Sequence, residues 1–433
     1  MIQFDFKNCS TKFIAIALSI CVHLSAHGQE ILRNENEASA QPDRLLLPFA
    51  FYNDTIGTAI GATYAGRGLF QAQSRFWATA IAADSGTRFA LLGVENLRTS
   101  RSKRLFFDAR LAVGDFNEID VYVDGNPAFP NETAGNNSSD ADNFLRSKGS
   151  DGGFDIGFSY LLPLGDGQDR TEVDVVLRDG LIIEGGRNPS MWNPTSSGLT
   201  SLNFNTIYRN QDTESEIGES DLVTTYLKLA LEYDNTDFKE NPSKGSRQEF
   251  SVSHDWGGLD SSDSWTTVEV DLAKYFSLGE TNKARQRVLA FNAWWIDTPS
   301  WDENSSGTSG KPPPYAGASL GGIGRLRGYP EGRFNSRSAV YYSGEYRYIP
   351  HRNSIADWPL LIKLGVKLDW LQLVGFAEAG RVANDFDLSE LHKDMKWSGG
   401  IGIRAFANHL IVRAELATSD EDSIFVMSID HPF

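Results

Sequence analysis

Along most of the chain, apolar and polar residues alternate with a period of two, in stretches of about ten residues separated by Gly, Asn, Asp, Ser and Pro. That period predicts strands whose successive side chains face opposite sides of a sheet, and the separators predict turns. The clearest stretch is Ile362–Trp370. There Ile362, Leu364, Val366, Leu368 and Trp370 oppose Lys363, Lys367 and Asp369, and a change of phase near Leu371 predicts a β-bulge. Val223, Leu227, Leu229 and Leu231 likewise oppose Lys228, Glu232 and Asp234. Leu410, Val412, Ala414 and Leu416 oppose Arg413 and Glu415, and Val173, Val175 and Leu177 oppose Glu172, Asp174 and Arg178. No amphipathic helix longer than two or three turns is predicted.

Reading every stretch this way places about eleven strands between Ile56 and Ile296 and about five between Ala339 and Phe433. An even total suits a closed antiparallel barrel with both chain ends on one side. Two long segments interrupt the ladder, Asp115–Asp151 and Thr298–Arg337. The first is rich in Asn, Ser, Asp and Gly and reads as a solvated loop. Its composition points outward and the strand count points to the periplasm, so its side stays open.

A soluble sandwich would also alternate, but so many consecutive hairpins leave no second sheet to cover the first. The expected fold is therefore all-β: a single antiparallel transmembrane β-barrel of about 16 strands. It fills residues 45–433 and follows a short polar tail over 29–44. Charged residues make up 22% of the chain, which does not argue against a barrel, because lipid-facing and lumen-facing residues average out. The formal charge of -17 argues against nucleic acid as a partner, since no basic surface exists to release counterions.

The first 28 residues read as a signal peptide. Lys7 and Lys12 precede an apolar run from Phe13 to Leu24, and Ala26-His27-Gly28 offers a small-x-small cleavage site. About twelve apolar residues cannot cross a ~30 Å hydrocarbon core, so the run is not an anchor. Both cysteines, Cys9 and Cys21, lie inside this leader. The rest of the chain must therefore be stable without disulfides, which a closed sheet permits. At the other end, Ser423–Phe433 alternates with Phe425, Met427, Ile429 and Phe433 on one face. A terminal aromatic residue there resembles the sorting signal of outer-membrane barrels, with Pro432 as a departure.

The segment 298–337 carries the most specific pattern: Ser319-Leu320-Gly321-Gly322-Ile323-Gly324-Arg325-Leu326-Arg327-Gly328-Tyr329. Gly344-Glu345-Tyr346-Arg347 and Phe376-Ala377-Glu378-Ala379-Gly380 follow, and Tyr233-Asp234 with Asn241-Pro242-Ser243-Lys244-Gly245 precede. In this order the motifs resemble the outer-membrane assembly superfamily that includes BamA, TamA and the two-partner secretion transporters, also called the bacterial surface antigen family. The tetrad Leu326–Tyr329 matches the family's hydrophobic-Arg-Gly-aromatic loop motif. Phe376–Gly380 matches the wall motif, with Glu378 where aspartate is usual, and Pro242–Gly245 matches the turn.

The resemblance implies a loop folded back into the lumen, with Leu326, Arg327, Gly328 and Tyr329 as its plug motif. Arg327 would dock on Glu378, beside Phe376, Gly380 and Glu345. It further implies a seam strand built around Phe425, Met427, Ile429 and Phe433. Family members that handle client proteins usually carry periplasmic POTRA domains of roughly 75 residues, so the chain resembles a barrel-only branch.

Enzymatic and cofactor signatures are weak. Gly322–Arg327 lacks the third glycine of a dinucleotide loop, and Pro242–Ser246 lacks a phosphate-loop frame. His254, His351, His392, His409 and His431 are scattered without metal-ligand spacing. The expectation is a non-enzyme with no cofactor and no metal, in the bacterial outer membrane. Its partners would be the lipid bilayer with its lipopolysaccharide, and unfolded outer-membrane or secreted proteins. The leading expected function is protein insertion, translocation or outer-membrane assembly. The alternatives are a passive pore for small solutes or lipids and a surface antigen without transport.

Overall fold

In the computed structural model of the chain, residues 30–53, 57–189, 192–304, 307–352, 359–363, 365–429 and 431–433 are described. The predicted leader over residues 1–28 lies outside them. Sixteen strands form one sheet in which consecutive wall strands pair antiparallel. They are β1 (Asp43–Asn53), β2 (Gly57–Arg67), β3 (Arg75–Ala83), β4 (Arg88–Arg98), β5 (Leu105–Val121), β6 (Leu145–Leu161), β7 (Leu199–Ser215) and β8 (Gly218–Asp234). The second half comprises β9 (Gly245–Trp256), β10 (Ser264–Ser277), β11 (Ala284–Asp297), β12 (Ser338–Pro350), β13 (Leu368–Ala383), β14 (Lys396–Ala407), β15 (Leu410–Thr418) and β16 (Ser423–Ile429).

The two faces of this wall differ as a barrel in lipid requires. Leu111, Phe154, Leu229, Phe250, Phe291 and Ile401 point outward and are exposed. Charged residues point inward and find one another: Arg110 lies 2.9 Å from Glu95, and Lys228 lies 3.1 Å from Glu249 and 3.2 Å from Glu269. An apolar exterior around a paired, charged interior inverts the order of a soluble sheet and suits a lipid surround. The wall strands are 9 to 17 residues long apart from the 7-residue β16, against the roughly 9–11 a tilted strand needs to cross a bilayer.

β1 and β16 are the ends of the sheet, and no ladder joins them among the described residues. At the end of the barrel where β1 begins, its contacts run to the turn between β14 and β15. Asn408 donates to the Arg44 carbonyl at 2.7 Å, and Leu45 and Ala65 pack against Ala407 and Leu410. Leu45 and Ala65 lie on the inner face of β1 and β2, whereas Ala407 continues the outer face of β14. The sheet therefore overlaps itself there, and among the described residues β1 and β16 each have one edge without a ladder.

Three expectations change. Val173–Arg178 is not a wall strand. It pairs in parallel with Glu30–Asn34 and antiparallel with Leu181–Gly185, forming a separate three-stranded sheet. At about 3.3 Å per residue its six residues span only ~20 Å, too short to cross. Its apolar face (Val173, Val175 and Leu177, with Leu32) packs on Leu161, Leu199, Ile349, Trp370, Phe406 and Ile411. Those six residues lie on the wall at the end where β1 begins and β16 finishes, so the small sheet fills that mouth. Part of the polar stretch 29–44 is thus ordered as a strand, because Leu32 has an apolar core to enter.

Ile362–Trp370 is the second change. Pro359–Lys363 forms a helical turn, Gly365 follows at φ +70°, and β13 begins only at Leu368. Pro at the first helical position and Gly just past the last are the residues that start and stop such a turn, and they override the alternation. The side chains of Ile362 and Leu364 lie outside the described residues. The bulge exists, between Leu368 and Trp370. The third change concerns Asp115–Asp151: β5 and β6 run on into it, leaving a loop over 122–144. That loop opens at the same end as 298–337, opposite the mouth filled by the small sheet.

Candidate functional site

The segment between β11 and β12 folds into the barrel. Ala318–Leu320 pairs with Phe334–Ser336 and closes a loop whose apolar residues Leu320, Leu326, Tyr329 and Phe334 pack on Trp294, Ile296, Ala339, Tyr341 and Val382 of the wall. Gly380 is what lets them approach, for a Cβ there would lie 2.8 Å from the Leu320 side chain. The tip is conformationally special: Leu326 has φ +58° and Gly328 φ +100°. Positive φ at a bulky residue is strained and persists only where packing imposes it. A Cβ on Gly328 would sit 3.0 Å from the Thr418 backbone. Gly328→Ala is expected to destabilise the barrel by about 1–3 kcal/mol, measured as a lowered thermal midpoint in detergent. An unchanged midpoint would show that the tip can relax.

Between these two positive-φ residues stands Arg327, whose side chain is 0% exposed. Its backbone N–H donates to Glu378 Oε2 at 2.6 Å, and its Nε and Nη2 donate to Glu378 Oε1 at 2.9 and 2.6 Å. Nη2 also reaches Glu345 Oε1 at 3.0 Å, and Nη1 reaches Glu415. The guanidinium lies 3.7 Å over the Phe376 ring. Tyr341 adds a hydroxyl donor to Glu378 Oε1 at 2.6 Å. One plug residue thereby engages β12, β13 and β15 at once, through charge-assisted bonds with fixed geometry.

The carboxylates are shared with further arginines. Arg404 donates to Glu345 at 2.7 and 2.9 Å and to Glu415 at 2.7 and 3.0 Å. Arg347 donates to Glu345 at 2.9 Å and Arg413 to Glu415 at 3.1 Å. All seven charged side chains of this cluster are buried. Such groups persist out of water only when each meets opposite charge, which is the pattern seen.

Two further contacts brace the loop. Arg325 lies 4.0 Å over the Trp294 ring and 3.2 Å from Asp271. Arg333 donates to Glu421 at 2.6 Å and to the Ser139 hydroxyl and carbonyl at 2.8 and 2.6 Å. Ser139 belongs to the 122–144 loop, which also accepts from the Asn335 N–H through the Gly135 carbonyl at 2.9 Å. The 122–144 loop thus rests directly on the plug. Tyr329 is buried, and its hydroxyl donates to Asp420 and to the Trp397 carbonyl. Burial, with the Asp420 carboxylate beside it, raises the pKa of that hydroxyl, so it remains a donor.

The structure therefore brings Leu326, Arg327, Gly328, Tyr329, Glu345, Phe376, Glu378 and Gly380 into one place. The residues predicted for the last strand do not stay together. Phe425 and Met427 lie on the outer face of β16, and the Ile429 side chain lies outside the described residues. Phe433 has left that face and stacks on Tyr275 of β10, its ring centroid 6.4 Å away. Pro432 has no N–H to extend a ladder, so the strand ends before it.

Glu415, Arg404, Arg413 and Tyr341 were not singled out beforehand. The alternation in 410–416 placed Arg413 and Glu415 on one face, but not which side of the wall that face lines. Among the described residues no cluster of His, Cys, Asp or Glu could hold a metal ion.

Comparison with known proteins accords with this architecture. Residues 106–422 match the Omp85 superfamily domain. None of the curated proteins matches the chain. Among solved structures, CdiB from Escherichia coli shares 10% identity at a TM-score of 0.53, over 90% of this chain and 60% of that one. BamA from Haemophilus ducreyi lacking POTRA domains 1-3 shares 13% identity at a TM-score of 0.48, over 92% of this chain and 74% of that one. The chain thus spans about 60% of the length of the CdiB structure. With a plugged antiparallel barrel on the page and the domain match covering most of its wall, the chain belongs to the Omp85 superfamily.

Proposed function

We propose that this chain is a non-enzymatic barrel of the bacterial outer membrane that inserts or translocates proteins. The observation that carries the reading is a lumen loop pinned by Arg327 to three carboxylates in a barrel whose first and last strands are joined by no ladder among the described residues. A pinned plug can be released, and an unpaired strand edge can template another extended chain. In this reading Leu326, Arg327, Gly328 and Tyr329 hold the plug against Glu378, Glu345, Phe376 and Gly380. β16, carrying Phe425, Met427 and Ile429, forms one side of the seam. The surroundings are lipid, including lipopolysaccharide, and the clients are unfolded outer-membrane or secreted proteins. The predicted leader over 1–28 serves export.

The test places the purified barrel in liposomes and follows the folding rate of an unfolded outer-membrane protein added to them. Acceleration by the wild type and its loss in Arg327→Ala is the expected result. Equal rates with and without the barrel, accompanied by steady ion conductance, would overturn the reading in favour of a pore.

A further inference from the structure

We infer that His431–Phe433 acts as an internal peg on the plug's own ionic cluster, so that withdrawal of this tail at the seam and release of the plug form one coupled transition. The ladder of β16 ends at Ile429, opposite Val412. Beyond it the tail turns inward and makes two contacts. Arg404 Nη1 donates to His431 Nδ1 at 2.8 Å. The Phe433 ring lies 5.3 Å from the Arg347 guanidinium, whose other aromatic neighbour is Tyr275 at 5.4 Å.

Neither arginine is incidental to the plug. Arg347 and Arg404 both hold Glu345, and Arg404 also holds Glu415. Glu345 and Glu415 are in turn two of the three carboxylates that hold Arg327. Plug and tail are therefore two ligands of the same pair of acids, each one arginine away from them.

A second observation shows that the tail matters to that cluster. Arg347 is 1% exposed, yet its Nη1 and Nη2 have no hydrogen-bond partner among the described residues. What those nitrogens have instead is the aromatic surface of Tyr275 and Phe433. A desolvated guanidinium is held appreciably by an aromatic face. With Phe433 gone, the Arg347 fork must turn toward Glu345 or toward water, and either move disturbs the acid that Arg327 uses. Conversely, a plug that has left returns Glu345 and Glu415 wholly to Arg347, Arg404 and Arg413, and the tail's contacts are re-set. The inference concerns this chain's own segments and stands apart from what crosses the barrel.

The experiment reads plug release by cysteine labelling. Cys9→Ser and Cys21→Ser leave the chain without cysteine. Ala318→Cys then places one thiol in the plug at a position that is 1% exposed. The full chain in membranes is treated with a soluble maleimide, and gel mobility without boiling reports the folded fraction. Phe433→Ala and Arg327→Ala should each raise the labelling rate, Phe433→Ala by about ten-fold, the scale of one lost cation–π contact with its repacking. Together they should label no faster than the faster single variant. Phe433→Leu, which keeps apolar bulk and removes the ring, should fall between wild type and Phe433→Ala, and it carries the test if the latter does not fold. Leu111→Ala, on the outer face of β5, should change nothing. An unchanged rate in Phe433→Ala or Phe433→Leu, a double variant whose effect is the product of the singles, or a faster rate in Leu111→Ala would each overturn the coupling.

Discussion

Replacing Arg327 with alanine lowers the stability of the folded barrel by about 3–5 kcal/mol, because it removes one partner from a buried ionic cluster. The loss falls mainly on Glu378. Glu345 keeps Arg347 and Arg404, and Glu415 keeps Arg404 and Arg413, whereas Glu378 is left with the hydroxyls of Tyr341, Ser343 and Ser398. A carboxylate out of water with only neutral donors is poorly compensated. Arg327→Lys should recover little of the loss, since an ammonium cannot present a planar fork to three acids on three strands. The pair Arg327→Met with Glu378→Leu, which removes both charges, should cost clearly less than the sum of the single changes. Equilibrium unfolding in detergent checks this. Additive single and double effects would show that the two groups act independently.

Leu32→Asp detaches the strand Glu30–Asn34 and leaves the wall standing. Leu32 is 2% exposed, opposite Val175 in the parallel ladder, inside the apolar cluster at that mouth. An unpaired carboxylate there costs several kcal/mol, more than five residues of parallel pairing return. The cheaper outcome is for the strand to leave, and the ladder of β1–β16 does not pass through it. Limited proteolysis should therefore remove residues up to about 42 from the variant and spare them in the wild type, while both keep the gel mobility of a folded barrel. Loss of the folded form altogether would mean that the small sheet supports the wall and does not merely occupy its mouth.

How far the architecture could be read beforehand follows from which signals are local. Alternation in Val223–Asp234 and Leu410–Leu416 identified wall strands because each face there meets a uniform medium, lipid on one side and charged lumen on the other. Val173–Arg178 alternates for a different reason: one face packs on the wall's inner core, and periodicity does not distinguish that from lipid. The total of sixteen nevertheless held, since Asp43–Asn53 takes the place this segment leaves. For the site, Arg327 and Glu378 were legible through their resemblance to a family pattern. Arg404 and Glu415 were not, because their role depends on the register that sets β14 against β15 and both across from the plug. Register is a long-range property, and a short alternating stretch carries no record of it. The inward turn of Phe433 likewise depends on Tyr275, which lies 158 positions earlier in the numbering.

The order in which the acids of the cluster occur along the chain has a bearing on biogenesis. Glu345, Glu378 and Glu415 lie 18, 51 and 88 residues beyond Arg327. Every partner of the plug arginine is therefore synthesised after it, and the most distant belongs to the penultimate wall strand. Contacts closed over such separations form late, once the intervening hairpins are in place. The lock cannot engage in a wall that is still growing, so a closed lumen is in effect a mark that the chain has finished building its own container.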